Sequence, residues 1–342
     1  MCKVVVGSAG VAMKNIVLCF DQAGEHDRSG PDTNTRALLR LLGDDDQLTW
    51  YHCGRKLPAY RRVTAVAEAR AAVVEAYNFL RDAWKPGDRI FIFGGGSGGH
   101  LAGELTNLLG TVGLVPATFD DPLGLVDYAL ATYVLPRTPR TAQDWRRVSA
   151  VTAGLLGDGT SAVPVRFLGL WDATPVPGTH GDPGLLANVE HGRHAVAIDA
   201  PHRVLHHGAR LEEVWFRGTH CDVTGGPGAR ARLSELTLDW VLDGAVAAGL
   251  AVRERDFAPG DVEALAGSSP THGIRRLPLD AKVHASVELY LRSHPKYWRR
   301  FPARVQWADT EWSARGERLA PAVPHAPATV AAARAELTAI AS

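Results

Sequence analysis

Short, continuous apolar runs alternate along the chain with longer stretches of helical spacing. Residues 16–20 (IVLCF) form one such run and stop at Asp21. An apolar run with no polar alternation reads as a strand buried on both faces. A polar segment, DQAGEHDRSGPDTN, follows, and a helix is expected from about Thr33–Asn34, carrying Ala37, Leu38, Leu41 and Leu42. Residues 48–52 are a second candidate strand. Over residues 64–84, Val66, Val73, Tyr77, Leu80 and Trp84 share one helical face, and Lys85-Pro86-Gly87-Asp88 stops the helix. Residues 89–93 (RIFIF) are the next buried strand, followed by a Gly-rich turn and a helix over 101–109.

Further on, residues 115–150 hold more Pro and Arg without a clear period and read as an insertion over the sheet's rim. Residues 163–171 (VPVRFLGLW) resume the strands and end at Asp172. Residues 213–216 (EVWF) form another strand, ending at Gly218-Thr219-His220, and 233–250 is a long helix. The tail is Pro-rich and is expected to finish in an Ala-rich helix from about Ala328. This rhythm predicts an α/β fold: a mostly parallel sheet with helices on both faces. One domain is expected over 13–342, with 115–150 and 251–327 as cap-like segments. Residues 1–12 precede Met13, where the patterned sequence begins, and read as an extension with no part in the fold.

Composition narrows the function. The chain has 342 residues, 46% hydrophobic and 22% charged, enough to bury a sizeable core. Lys+Arg and Asp+Glu stand at 37 each, so no net field draws the chain to nucleic acid or an anionic membrane. No apolar run approaches a membrane span. Cys2, Cys19, Cys53 and Cys221 are widely spaced, which fits neither a disulfide framework nor a thiolate zinc site. Reduced thiols and a poor secretory signal make cytoplasmic residence the expectation, with no cofactor and no nucleic-acid partner.

In parallel α/β sheets, ligands bind beyond the carboxyl ends of the strands. Three strand ends carry chemistry: FGGGSGGH after RIFIF, Asp172 after VRFLGLW, and His220 after EVWFRG. Turn, acid, histidine is the order of nucleophile, acid and base in α/β-hydrolases. A serine on a sharp turn would lose its proton to the histidine while the carboxylate orients the ring. Each residue also has a plainer reading. Asp172 can cap a turn, and His220 can be a surface histidine. FGGGSGG can cradle phosphate, although it lacks the Lys-Ser/Thr of a P-loop. His191, His194, His202, His206 and His207 are dense, but their spacing is not that of a metal site. Trp145, Trp298, Tyr290 and Tyr297 are candidates for lining a pocket, although simple packing is the commoner role for such aromatics; His284 is expected on a helix surface, the alternative being that it points at the site.

The blocks KNIVLCFD, TNTRALLRLL, RIFIFGGGSGGHLAGEL, VRFLGLWDATPVPG, RHAVAID and EVWFRGTHCDVTGG resemble the DUF2235 family. These are α/β-hydrolase proteins that include phospholipase effectors of type VI secretion. The resemblance implies Asp172 as triad acid and His220 as triad base. The family's elbow, approximately FGFSRGAYTAR, aligns without gaps so that its serine falls on Gly96 and its arginine on Ser97, with Gly94, Gly98 and Ala102 agreeing. A one-residue shift makes Gly95 to Gly99 a formal GxSxG with Ser97 as nucleophile. The family's FDGT, whose loop lies in the oxyanion region, reads Phe20-Asp21-Gln22-Ala23 here.

Two functions follow. In the first, a serine hydrolase acts on a carboxylic ester or acyl-type small molecule or lipid: Ser97 attacks, His220 is the base, Asp172 orients it, and Gly96, Gly98, Gln22 and Ala23 shape the oxyanion site. In the second, Gly96 stands at the serine position and no acyl-enzyme forms. His220 and Asp172 then serve proton transfer in a cyclisation, elimination or isomerisation, or the site only binds a ligand.

Overall fold

A computed structural model describes residues 3–6, 13–22, 31–43, 47–54, 62–115, 134–135, 141–156, 162–179, 186–207, 210–253 and 275–312. Among these, nine strands form one sheet. They are β1 (Lys3–Val6), β2 (Asn15–Phe20), β3 (Gln47–His52), β4 (Arg89–Gly95), β5 (Val165–Trp171), β6 (Val189–Ala197), β7 (Glu212–Phe216), β8 (Lys282–His284) and β9 (Gln306–Ala308). Their order across the sheet is β1-β3-β2-β4-β5-β6-β7-β8-β9. β1 runs antiparallel to β3, and every other neighbouring pair is parallel. The expected α/β architecture is therefore the observed one.

Strand alternation divides the core into two layers. Ile16, Leu18 and Phe20 of β2, with Ile90 and Ile92 of β4, face one side, where α2 (Arg62–Ala83) and α3 (Ser97–Thr111) cover them. Val17 and Cys19, with Phe91 and Phe93, face the other, under α1 (Asn34–Leu41) and α6 (Ala231–Ala247). Both faces of β2 are fully buried, which is why its sequence shows no polar alternation. At about 25 cal/mol per Å² of apolar surface, such doubly covered strands carry the largest share of the stabilisation per residue. The remaining helices are α4 (Ala142–Leu156), α5 (His220–Thr224) and α7 (Ser286–Ser293), with a 3₁₀ turn at Pro295–Arg300.

Several expectations need correction. Lys3–Val6 is not outside the fold: it pairs with Leu48–Tyr51 as an antiparallel edge strand, a role suited to the β-branched run KVVV. Of the insertion expected over 115–150, the described residues include the first part of a helix, α4, while 116–133 and 136–140 lie outside them. β8 and β9 carry three residues each, too few to show a period, and extend the sheet beyond β7. His284 lies on β8 rather than on a helix surface. It is fully buried between Ser286 Oγ at 2.8 Å and Asp309 Oδ2 at 3.1 Å. Tyr290 and Tyr297 pack in a third apolar cluster with Val283 and Val287, and Trp298 is 46% exposed. The helix expected from Ala328 lies outside the described residues.

Candidate active site

β4 and β5 are neighbours in the sheet and β7 stands one strand further on, beyond β6; each of the three delivers one element of the site from its carboxyl end. β4 runs through Gly95 and α3 begins at Ser97, leaving Gly96 alone to turn the chain. Gly96 has φ 53° and ψ −123°, a left-handed conformation that a side chain tolerates poorly. Its N–H donates to Trp171 O at 2.9 Å, and its carbonyl accepts from Gly99 N at 3.1 Å and Thr174 N at 2.9 Å. α3 packs tightly onto the strand ends. A Cβ on Gly98 would lie 2.3 Å from the carbonyl oxygen of Phe20, so no side chain fits there.

Asp172 follows β5 with φ 44°, also left-handed, and is completely buried. Its Oδ1 accepts from Ala197 N at 2.9 Å and its Oδ2 lies 2.6 Å from His220 Nδ1. Arg275 grips both oxygens: Nη2 reaches Oδ2 at 3.1 Å and Nη1 bonds Oδ1. Burial pushes the carboxyl group's pKa upward. The hydrogen bond from His220 and the charge of Arg275 outweigh it and hold the group well below the usual carboxylate range.

His220 opens α5, whose preceding Thr219 N–H donates to Asp222 Oδ2 at 2.7 Å. That cap aims the imidazole back over the strand ends. The ring's second nitrogen, Nε2, faces Gln22 Oε1 at 3.1 Å. Gln22 Nε2 donates to Gly225 O at 3.3 Å, which turns the amide oxygen toward the ring. A carboxylate oxygen thus stands at one ring nitrogen and an amide oxygen at the other. Gly96 sits directly beside this contact. A Cβ added to it would lie 3.1 Å from His220 Nε2 and 3.0 Å from Gln22 Oε1.

The expected site residues thus divide. Asp172, His220, Gly96 and Gln22 come together, and Gly98 lies under the turn. Ser97 is the first residue of α3, one step past the tip, and is partly exposed. Gln22 N–H is taken by Asp21 Oδ1 at 2.8 Å, and Asp21 is itself pinned by Thr33 Oγ1 at 2.9 Å and Tyr51 Oη at 2.6 Å. Ala23 lies outside the described residues.

Sequence reading missed Arg275, for which GIRRLPLD offers no local signal, and the two histidines that brace the acid loop. Ala173 N donates to His194 Nε2 at 3.1 Å, and Val176 N donates to His100 Nδ1 at 3.0 Å. His206 Nδ1 lies 2.9 Å from Glu213 Oε1, His191 is exposed, and the exposed His202 sets its ring edge-on to His220 at 6.2 Å. Among the described residues, no group of three or more His, Cys, Asp or Glu side chains is placed to hold a metal ion.

His207 is buried against His194, and among the described residues neither of its ring nitrogens has a hydrogen-bond partner. Burial, reinforced by His194, pushes its pKa down to about 3. A group depressed this way stabilises the fold fully above its unfolded value of about 6.5, and the contribution is lost as pH falls toward the folded value. His207→Leu is therefore expected to lose less stability than the parent chain between pH 7 and pH 4.5 in urea unfolding. Equal losses would show that His207 stays neutral for another reason or does not report on acid unfolding.

The chain is similar to several known proteins. A protein of Saccharomyces cerevisiae, YEL023C, is 26% identical over 219 residues, covering 54% of this chain and 31% of the yeast protein. A solved structure from Pseudomonas aeruginosa matches at 15% identity and a TM-score of 0.40, covering 70% of this chain and 46% of that one. Esterase 2 of Thermogutta terrifontis, in its apo form, matches at 14% identity and a TM-score of 0.39, over 73% of this chain and 90% of the esterase. The chain thus spans under a third of the yeast relative and under half of the Pseudomonas protein. Residues 14–244 match the family model described as the type VI secretion phospholipase effector Tle1-like catalytic domain. That stretch runs from the first residue before β2 into α6 and takes in Gly96, Asp172 and His220. The chain belongs to the Tle1-like phospholipase effector catalytic domain family.

Proposed function

We propose that this chain is a hydrolase-fold enzyme for an acyl- or ester-bearing small molecule or lipid, in which Asp172 and His220 act as an acid–base pair without a serine acyl-enzyme. The observation that carries the reading is Gly96 at the tip of the turn, its missing Cβ pointing at His220 Nε2. Gln22 Oε1 fills the place that a nucleophile oxygen would take beside that nitrogen.

In this reading an entering substrate displaces the Gln22 amide from Nε2. Neutral His220 then takes a proton from a carbon or oxygen acid of the substrate, and the ring becomes an imidazolium facing Asp172. The same proton returns to a different substrate atom, so the net reaction is an isomerisation, cyclisation or elimination and the protein is unchanged. Backbone N–H groups at the start of α3 favour the negative charge that develops on a substrate carbonyl oxygen. Substrate class comes from the family, whose members include phospholipase effectors. No helix of the described residues is long and apolar enough to cross a membrane.

A second reading keeps hydrolysis and assigns the nucleophile to Ser97, favoured by its partial exposure on the first turn of α3 and by the formal GxSxG around it. The two separate on a fluorophosphonate probe, which reacts with an activated serine. The wild-type chain is expected to stay unlabelled, and Ser97→Ala to behave identically. Labelling of the wild type that disappears in both Ser97→Ala and His220→Ala would overturn the proposed mechanism in favour of the serine hydrolase.

A further inference from the structure

We infer that Arg275 is a positioning residue that fixes the Asp172 carboxylate in the orientation His220 requires; the inference rests on the acid–base reading of that pair. Arg275 comes after residue 244, outside the stretch that matches the family. It lies 103 residues from Asp172 in sequence, and its side chain is 92% buried.

The guanidinium satisfies four demands at once. Nη1 bonds Asp172 Oδ1 and donates to Ala197 O at 3.0 Å, Nη2 donates to Asp172 Oδ2 at 3.1 Å, and Nε donates to His202 O at 2.7 Å. Its own backbone N–H donates to Ile198 O at 3.3 Å, anchoring the residue to the end of β6. The arrangement addresses a specific weakness. An aspartate χ2 torsion is broad and two-fold, so a carboxylate on a strained, left-handed residue has no intrinsic preference for presenting one oxygen to a ring nitrogen. A planar fork across both oxygens removes that freedom, which a point-charge ammonium cannot do. With Ala197 N–H also on Oδ1, the lone pair of Oδ2 that remains points along the 2.6 Å contact to His220 Nδ1.

The contact to His202 O extends the effect. The His202 ring stands at 81° to that of His220, edge to face, so the same arginine restrains the segment packed against the base. An ion pair serving stability alone would need neither the bidentate fork nor a tie to the segment touching the imidazole.

The test is proton NMR of the imidazole Nδ1–H, whose resonance moves far downfield when a carboxylate accepts a short hydrogen bond. Wild-type protein is expected to show such a resonance, assigned to His220 by its loss in His220→Gln. In Arg275→Met the resonance should shift upfield or vanish through exchange, while far-UV circular dichroism stays that of the folded chain. Arg275→Lys, which keeps the charge without the fork, should shift it part of the way, and serves alone if the methionine variant does not fold. A resonance that is present and unmoved in both variants overturns the positioning role and leaves the Asp172–His220 pair intact. Its absence from the wild type overturns the pairing itself and the role of Arg275 with it.

Discussion

A serine placed at position 96, with Gln22 shortened to alanine, is expected to turn the chain into a fluorophosphonate-reactive enzyme. Gly96 already has the backbone of a strand-to-helix tip, and a Cβ there would point at His220 Nε2 from 3.1 Å. That approach is too close for Gly96→Ser alone. The same Cβ would lie 3.0 Å from Gln22 Oε1 and 3.1 Å from Gln22 Cβ, so the glutamine must yield. The Gly96 backbone is also left-handed, which costs an L-residue about 1–3 kcal/mol. Removing the Gln22 amide clears Oε1 and frees Nε2 to accept the serine proton, and the retained Cβ at 3.1 Å must give by a few tenths of an ångström. General-base assistance is worth roughly 10²–10⁴-fold, so adding His220→Ala to the double variant should slow its labelling by at least about two orders of magnitude. Gly96→Ser alone should label more slowly than the pair of substitutions. A folded double variant that ignores the probe, or that labels equally well without His220, would show that this turn does not present position 96 to the base.

Asp172→Ala is expected to be the most destabilising single substitution at the site. It deletes a fully buried carboxylate and leaves Arg275, itself buried, without its counter-charge. Breaking a buried pair by removing one partner costs about 3–5 kcal/mol. For a chain of this size that corresponds to a fall in Tm on the order of 10 °C, measurable by calorimetry. The pH dependence carries a sign. Because the folded carboxyl group titrates below its unfolded value of about 3.9, its contribution is complete above that pH and disappears as pH falls through the folded value. The difference in stability between wild type and Asp172→Ala should therefore be constant near neutrality and shrink only in strong acid. Asp172→Ala with Arg275→Met should recover part of the loss, since no uncompensated charge remains. A single substitution costing under about 1 kcal/mol would mean that the network around Asp172 relaxes freely.

Much of the sheet was legible because its strands are buried on both faces. Runs such as IVLCF and RIFIF are apolar through the strand, and they stop abruptly at Asp21 and at the glycine turn. That abrupt stop marked Asp172 and His220, since polar residues directly after an apolar run fall at the carboxyl edge where the strands of a parallel sheet present their ligands. β8 and β9 escaped notice because three residues show no period and their pairing is with distant chain. β1 was legible in principle from KVVV, but an edge strand is specified by the partner it pairs with as much as by its own residues.

At the site, the sequence alone determined the chemical types present, their order along the chain, and the loss of agreement with the family at the turn and at Gln22. It did not determine which of Gly96 and Ser97 stands at the tip. Glycines flank both positions and carry no side-chain signal, so the choice depends on where α3 starts, and that is decided by the packing of Gly98 against the Phe20 carbonyl. Nor did it reveal the meeting of Gln22 with His220, 198 residues apart, or of Arg275 with Asp172, 103 apart. Hydrophobic periodicity is local and survives in the sequence. Hydrogen-bond partners are chosen by which buried polar groups the folded core leaves facing one another, and only the tertiary structure makes that choice.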